Sequence, residues 1–121
     1  MLNYNTYRMM DQVNELGNLP MGKKCSYKIT VAKGTKISAE EVEGHIYYPF
    51  ALRKSGKEWV LDHVPTGMSI MSFKLKRDVV NYLKTIDRHV YDSADMSDRE
   101  TMLAWGKLRE DLSKIKFFVT V

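Results

Sequence analysis

Six cations stand in two short runs beside aromatic residues. Arg53, Lys54 and Lys57 flank a Ser55-Gly56 turn, and Lys74, Lys76 and Arg77 follow Phe73. Lys and Arg gathered in this way suit phosphate oxygens, and a neighbouring ring can stack on a base. If the runs on either side of Pro65-Thr66-Gly67 pair as antiparallel strands, the Ser55-Gly56 turn and the Lys74–Arg77 segment share one rim of a sheet. The first N–H groups of a helix opening near Arg77 would add partial positive charge. The expected anion-binding set is Arg53, Lys57, Lys74, Lys76 and Arg77, with Tyr82 stacking on the base. Arg109 is expected to reach in from a neighbouring helix or subunit, and His63 and Thr66 to contribute from the adjoining turn. Trp59 and Phe73 are expected in the core.

Other chemistries find less support. Of the three histidines, His45 and His63 fall on strands expected to be adjacent, so they could approach each other. Asp62 precedes His63, but successive strand side chains point to opposite faces, so Asp62 is not expected to orient that ring. No serine sits in a nucleophile elbow, and the single Cys25 carries no catalytic signature. Each histidine is read as structural, and no catalytic residue is expected. No His or Cys pair has metal-ligand spacing. Asp92, Asp95 and Asp98 lack the glycine and closing glutamate of a calcium loop and are read as a solvated connection favouring the next helix start. The glycines are scattered, with no phosphate-cradling loop. No cofactor is expected.

The elements that must position the rim follow from periodicity. "YNTYRMMDQVNEL" (4–16) predicts a short helix capped at Gly17, and "SYKITV" (26–31) alternates as a half-buried strand. "SAEE" (38–41) fits a capping box and one helical turn ended by Gly44. "HIYYPFALRK" (45–54) alternates again, and Pro49 within it predicts an edge strand. "EWVLDHV" and "MSIMSFKL" complete a three-stranded meander. Val79, Leu83, Ile86 and Val90 predict a helix over about 76–89. Ser97-Asp98-Arg99-Glu100 reads as a second capping box, before a stripe of Met102, Trp105, Leu108, Leu112 and Ile115. "FFVTV" predicts a last strand. The fold class expected is α+β: an antiparallel sheet of about five strands, a short N-terminal helix and two C-terminal helices, in one domain spanning 1–121.

Composition narrows the class. At 121 residues, 44% hydrophobic and 28% charged, the chain can build one core and is unlike a disordered segment. A lone cysteine fits a reducing cytosol, and no apolar run is long enough to span a membrane or, at the N-terminus, to read as a signal peptide. The net charge is +4, with nine basic and six acidic residues in 1–60 and ten and nine in 61–121. That excess permits an anionic partner without the strongly basic face of a dedicated duplex-DNA binder. Seven tyrosines, eight methionines and two tryptophans leave apolar surface for a homo-oligomer.

The H-x-P-T-G turn (His63, Pro65, Thr66, Gly67) followed by "SFKLKRDVVNYL" resembles a strand-turn-strand-helix unit of small phage-encoded accessory proteins. The plan of a β-rich first part and two C-terminal helices is similar to the first described class of phage anti-Thoeris proteins. That resemblance implies an oligomeric sponge, in the host cytoplasm, for cyclic ADP-ribose-type immune signals. It carries over no individual site residue. The expected function is therefore sequestration of a cyclic nucleotide or ADP-ribose-type signal in a basic, aromatic-flanked pocket. The alternatives are an inhibitor that binds a host protein directly, as anti-CRISPR-type proteins do, and a nucleic-acid-binding accessory protein. A hydrolase using His45 or His63 ranks last.

Overall fold

The computed structural model describes residues 12–118. It has the expected α+β class. Five strands, β1 (Lys24–Lys33), β2 (Lys36–Tyr47), β3 (Phe50–Ser55), β4 (Glu58–His63) and β5 (Met68–Phe73), form one antiparallel sheet in sequential order. A short helix α1 covers 12–16, α2 is Lys76–Thr85 and α3 is Arg99–Phe118, with a 3₁₀ turn at Arg88–Tyr91 between the last two. Among the described residues no helix is long and apolar enough to cross a membrane.

The sheet curls until its first strand meets its last. Thr30 of β1 donates its N–H to the Gly67 carbonyl at 2.7 Å and its hydroxyl to the Thr66 carbonyl at 2.9 Å. Alternation then sorts side chains between two cores. Phe50, Leu52, Leu61 and Phe73 face outward against Val79 and Leu83 of α2 and Trp105, Leu108 and Leu112 of α3. Tyr27, Ile29, Ile46, Ala51 and Val64 face inward with Leu16 of α1. Gln12 of α1 plugs the open side: its amide nitrogen donates to the Lys28 and Val64 carbonyls and its oxygen accepts from Lys28 N–H.

Several elements differ from expectation. Residues 38–41 are strand, because Ser38 to Glu41 pair with Val31 to Lys28 of β1. A capping box with no apolar stripe behind it offers a helix nothing to bury, and the strand partner prevails. The 45–54 run divides at Tyr48-Pro49, whose peptide bond is cis, into the end of β2 and all but the last residue of β3. Pro49 therefore lies in a hairpin turn, and β3 is the central strand of the sheet. The helix expected over 76–89 stops at Thr85; Val90 is exposed and Tyr91 packs inward instead. Asp98, not Ser97, caps α3, accepting from Thr101 N–H and Oγ1–H. Met102 falls off the buried stripe at 48% exposure, while Trp105, Leu108 and Leu112 hold it. Phe117 and Phe118 extend α3 rather than starting a strand. The rest of that expected strand, and residues 4–11 of the expected first helix, lie outside the described residues.

Five of the buried or half-buried phenols, Tyr27, Tyr47, Tyr48, Tyr82 and Tyr91, are pushed above the ordinary tyrosine value, in each case mainly by burial, and Tyr48 reaches about 12. A folded-state value above the unfolded one means a contribution complete below the unfolded pKa and lost as pH rises. The urea midpoint should hold steady up to about pH 10, the unfolded phenol value. It should then fall towards pH 12, in step with phenolate absorbance, and a flat midpoint across that range would contradict this packing.

Candidate functional site

The rim expected at the end of the meander exists, with a different ring at its centre. Gly56, at φ 61°, supplies the left-handed backbone the β3–β4 turn requires, and the turn sets Lys54 directly opposite Trp59. Trp59 in turn pairs with Phe73, the last residue of β5. Lys76 opens α2 three residues later. The Lys54 and Lys76 ammoniums each lie 5.0 Å from the Trp59 ring centroid. Among the described residues neither forms an ion pair. Lys57 and Lys74 are exposed at the same end, and Arg77 is exposed beside Asp78 at 3.8 Å. Leu75 caps α2 without a side-chain hydrogen bond, so the helix presents uncapped N–H groups here.

His45 adjoins this surface; the adjacent strands expected for His45 and His63 are not found. The two lie on β2 and β4, with β3 between them. Burial, with the Lys76 and Lys24 ammoniums nearby, holds His45 below the ordinary histidine value. Its Nδ1 is buried with no hydrogen-bond partner. A bare lone pair is the cheaper atom to bury, so the neutral ring carries its proton on Nε2.

Arg53 is not part of the rim. Parity turns it inward, where its Nε donates to Asp62 Oδ2 at 2.7 Å. The fully buried Asp62 also accepts from Tyr27 Oη–H on Oδ2 and from Ser69 Oγ–H on Oδ1, each at 2.7 Å. This network ties β1, β3, β4 and β5 together. Tyr82 is also withdrawn: its hydroxyl donates to Asp111 on α3 at 2.9 Å. Lys107 first and Tyr82 second hold that carboxyl below its usual range.

His63, Thr66 and Arg109 come together elsewhere, at the far end of β4 and β5, separated from the Trp59 rim by the length of β5. Five residue steps at about 3.3 Å make that roughly 16 Å. They line a cleft of about 150 Å³. His63 is buried, and burial is the first cause of its depressed pKa. Its Nε2 lies 2.7 Å from the Tyr91 carbonyl, which can only accept, so Nε2 carries the proton and Nδ1 accepts from Thr66 Oγ1–H at 2.8 Å. A base on a hydroxyl has that polarity. The nearby amides cannot steady an oxyanion, because Gly67 N–H donates to the His63 carbonyl and Met68 N–H to Thr66 Oγ1. The relay secures the β4–β5 turn.

No family model, curated protein or solved structure matches this chain.

A larger hollow of about 370 Å³ lies between Tyr48, Asp87, Arg88 and His89. Arg88 there donates to the Tyr48 and Leu83 carbonyls, and Asp87 caps the 3₁₀ turn, so its charges are already engaged. Among the described residues no cluster of His, Cys, Asp or Glu could hold a metal ion. Sequence reading missed the Lys54–Trp59 facing pair, which the turn register contains, and the approach of Lys24 and His45, which no short-range signal reveals.

Proposed function

We propose that this chain is a small binding protein that captures an anionic, base-bearing ligand, of the cyclic nucleotide or ADP-ribose class, on the Trp59 rim. The observation that carries this reading is one indole with two ammoniums 5.0 Å from its centroid and, among the described residues, no carboxylate paired with either. Two like charges held by one ring raise the local potential, and an anion relieves it. Lys57, Lys74 and Arg77, together with the α2 N-terminus, favour phosphate, while Trp59 offers the stacking face. In this reading the protein acts as a cytoplasmic sponge for a signalling nucleotide, as a homo-oligomer, in the manner its likeness to phage anti-defence proteins implies.

Titration calorimetry against cyclic nucleotides, ADP-ribose and its cyclic forms tests this. One member should bind, and Trp59→Ala should weaken it roughly 5- to 150-fold, the equivalent of about 1–3 kcal/mol per stacked base. Lys54→Ala and Lys76→Ala should each weaken it and lower its salt dependence. Silence across the panel ends the proposal. Retention on single-stranded DNA or RNA with a salt slope set by several phosphates would transfer the same rim to a nucleic-acid reading.

A second reading, a direct inhibitor of a host protein, draws on exposed apolar side chains on and before α3. Met96, Met102 and Leu103 are 43%, 48% and 57% exposed. Here Trp59→Ala would leave function intact, and Leu103→Asp would remove it.

A further inference from the structure

The cleft at the other end of the sheet is too small for the ligand proposed above. Its volume of about 150 Å³ is room for about five waters. Sites for drug-sized ligands hold about 300–1,000 Å³. Its walls are apolar: Met68, Ile70, Ala94, Met96 and Trp105. Trp105 is a fixed wall, with Nε1–H donating to the Ser93 carbonyl at 2.9 Å and the ring edge-on to His63 at 5.0 Å. Met68 and Met96 at the lip are 53% and 43% exposed and can adapt to what enters.

The polar groups of the base ask nothing of a ligand. Thr66 donates to His63, His63 to the Tyr91 carbonyl, and Ser69 to Asp62. That leaves Arg109. Along α3, Lys107 pairs with Asp111 and Lys114 with Glu110. The positions three and four residues from Arg109 are Trp105, Gly106, Leu112 and Ser113, none of them acidic. Among the described residues Arg109 has no ion pair, and it is exposed at the mouth of the cleft.

A guanidinium unpaired among the described residues, over a small apolar slot, selects one kind of molecule. We propose that this cleft binds a small monocarboxylate with an apolar tail, the carboxylate on Arg109 and the tail between Trp105, Ile70, Met68 and Met96. One cation matches a monoanion and its planar fork matches a carboxylate, while a phosphate dianion would lack a second partner.

The test is titration of the full chain with phenylacetate and with phenylacetamide, which has the same shape without the charge, followed by methionine-methyl NMR. Phenylacetate should give saturable shifts at Met68 and Met96, with Kd below about 1 mM. Phenylacetamide should bind at least about tenfold more weakly, because it offers the guanidinium one neutral acceptor where the carboxylate offers two charged ones. Arg109→Gln, at an exposed position, should keep the fold and bring the two compounds within about threefold of each other. Ala94→Leu should fill the slot and abolish both. Trp59→Ala should change nothing here, so this site and the nucleotide rim stand or fall separately. Equal binding of acid and amide, shifts confined to other methionines, or no saturable shift at all would each overturn the proposal.

Discussion

Asp62→Ala is expected to destabilise the protein by about 3–5 kcal/mol, the cost of breaking a buried charge pair from one side. That is a large share of the 5–15 kcal/mol typical of a domain. Asp62 is fully buried, and the Arg53 side chain is 15% exposed. Removing the carboxylate leaves the guanidinium without its counter-charge, facing the neutral Ser69 Oγ at 3.2 Å from Nη2. The Tyr27 and Ser69 hydroxyls lose their acceptor in the same step. At a urea m-value of about 1.5 kcal/mol/M the midpoint should fall by roughly 2–3 M. Changing Arg53→Met together with Asp62→Leu should cost less than Asp62→Ala alone, because no charge is then stranded and only neutral hydroxyls lack a partner. A loss below about 1 kcal/mol for Asp62→Ala would mean that water reaches the network and the curl is open.

Little of that network could be read along the chain. Asp62 lies between Leu61 and His63 and looks like an ordinary polar step in an alternating strand. Tyr27 is 35 residues away, and only the curl brings β1 back to β4. Its other partners were within reach. The Ser55-Gly56-Lys57 turn fixes the β3–β4 register, which puts Lys54 opposite Trp59 and Ala51 opposite Asp62. Parity then separates Arg53 from Lys54, sending one inward to Asp62 and the other outward to the indole. Grouping the two cations by nearness in sequence merged opposite faces of one strand. The same shortcut joined His63, Thr66 and Arg109 to the Lys74–Arg77 rim, although β5 must run its full length between them.

The hairpins were legible because their turns carry the chemistry, Gly56 in one and Pro65-Thr66-Gly67 in the other. Strand β2 was not. Glu40, Glu41 and Glu43 make that stretch too polar to read as sheet, and it is held by β1 alone, since β2 meets β3 only over His45–Tyr47. A ribbon paired on one side only has no second neighbour demanding apolar residues, so the alternation that marks strands elsewhere fades there.

Gly44→Ala should therefore be far more damaging than its exchange of one hydrogen for a methyl suggests. Gly44 lies in β2 next to His45, where that one-sided ribbon joins β3. A Cβ there would stand 2.5 Å from the Leu52 carbonyl oxygen and 3.0 Å from Tyr27 Oη. The first contact is backbone, which has no rotamer to escape into, so β2 and β3 must part. The second would push the Tyr27 hydroxyl away from Asp62, which it meets at 2.7 Å. Overpacking of this kind costs about 1–3 kcal/mol, and the backbone clash places Gly44→Ala at the top of that range. Gly106→Ala is the matched control. It sits within α3 with nothing within 4 Å of the added carbon, and should stabilise by about 0.5–1 kcal/mol. Because Gly44→Ala acts partly through Tyr27 and Asp62, combining it with Tyr27→Phe should cost less than the two measured singly. Strict additivity in that cycle would place the strain wholly at Leu52, and equal effects at Gly44 and Gly106 would rule out the close approach of β2 and β3.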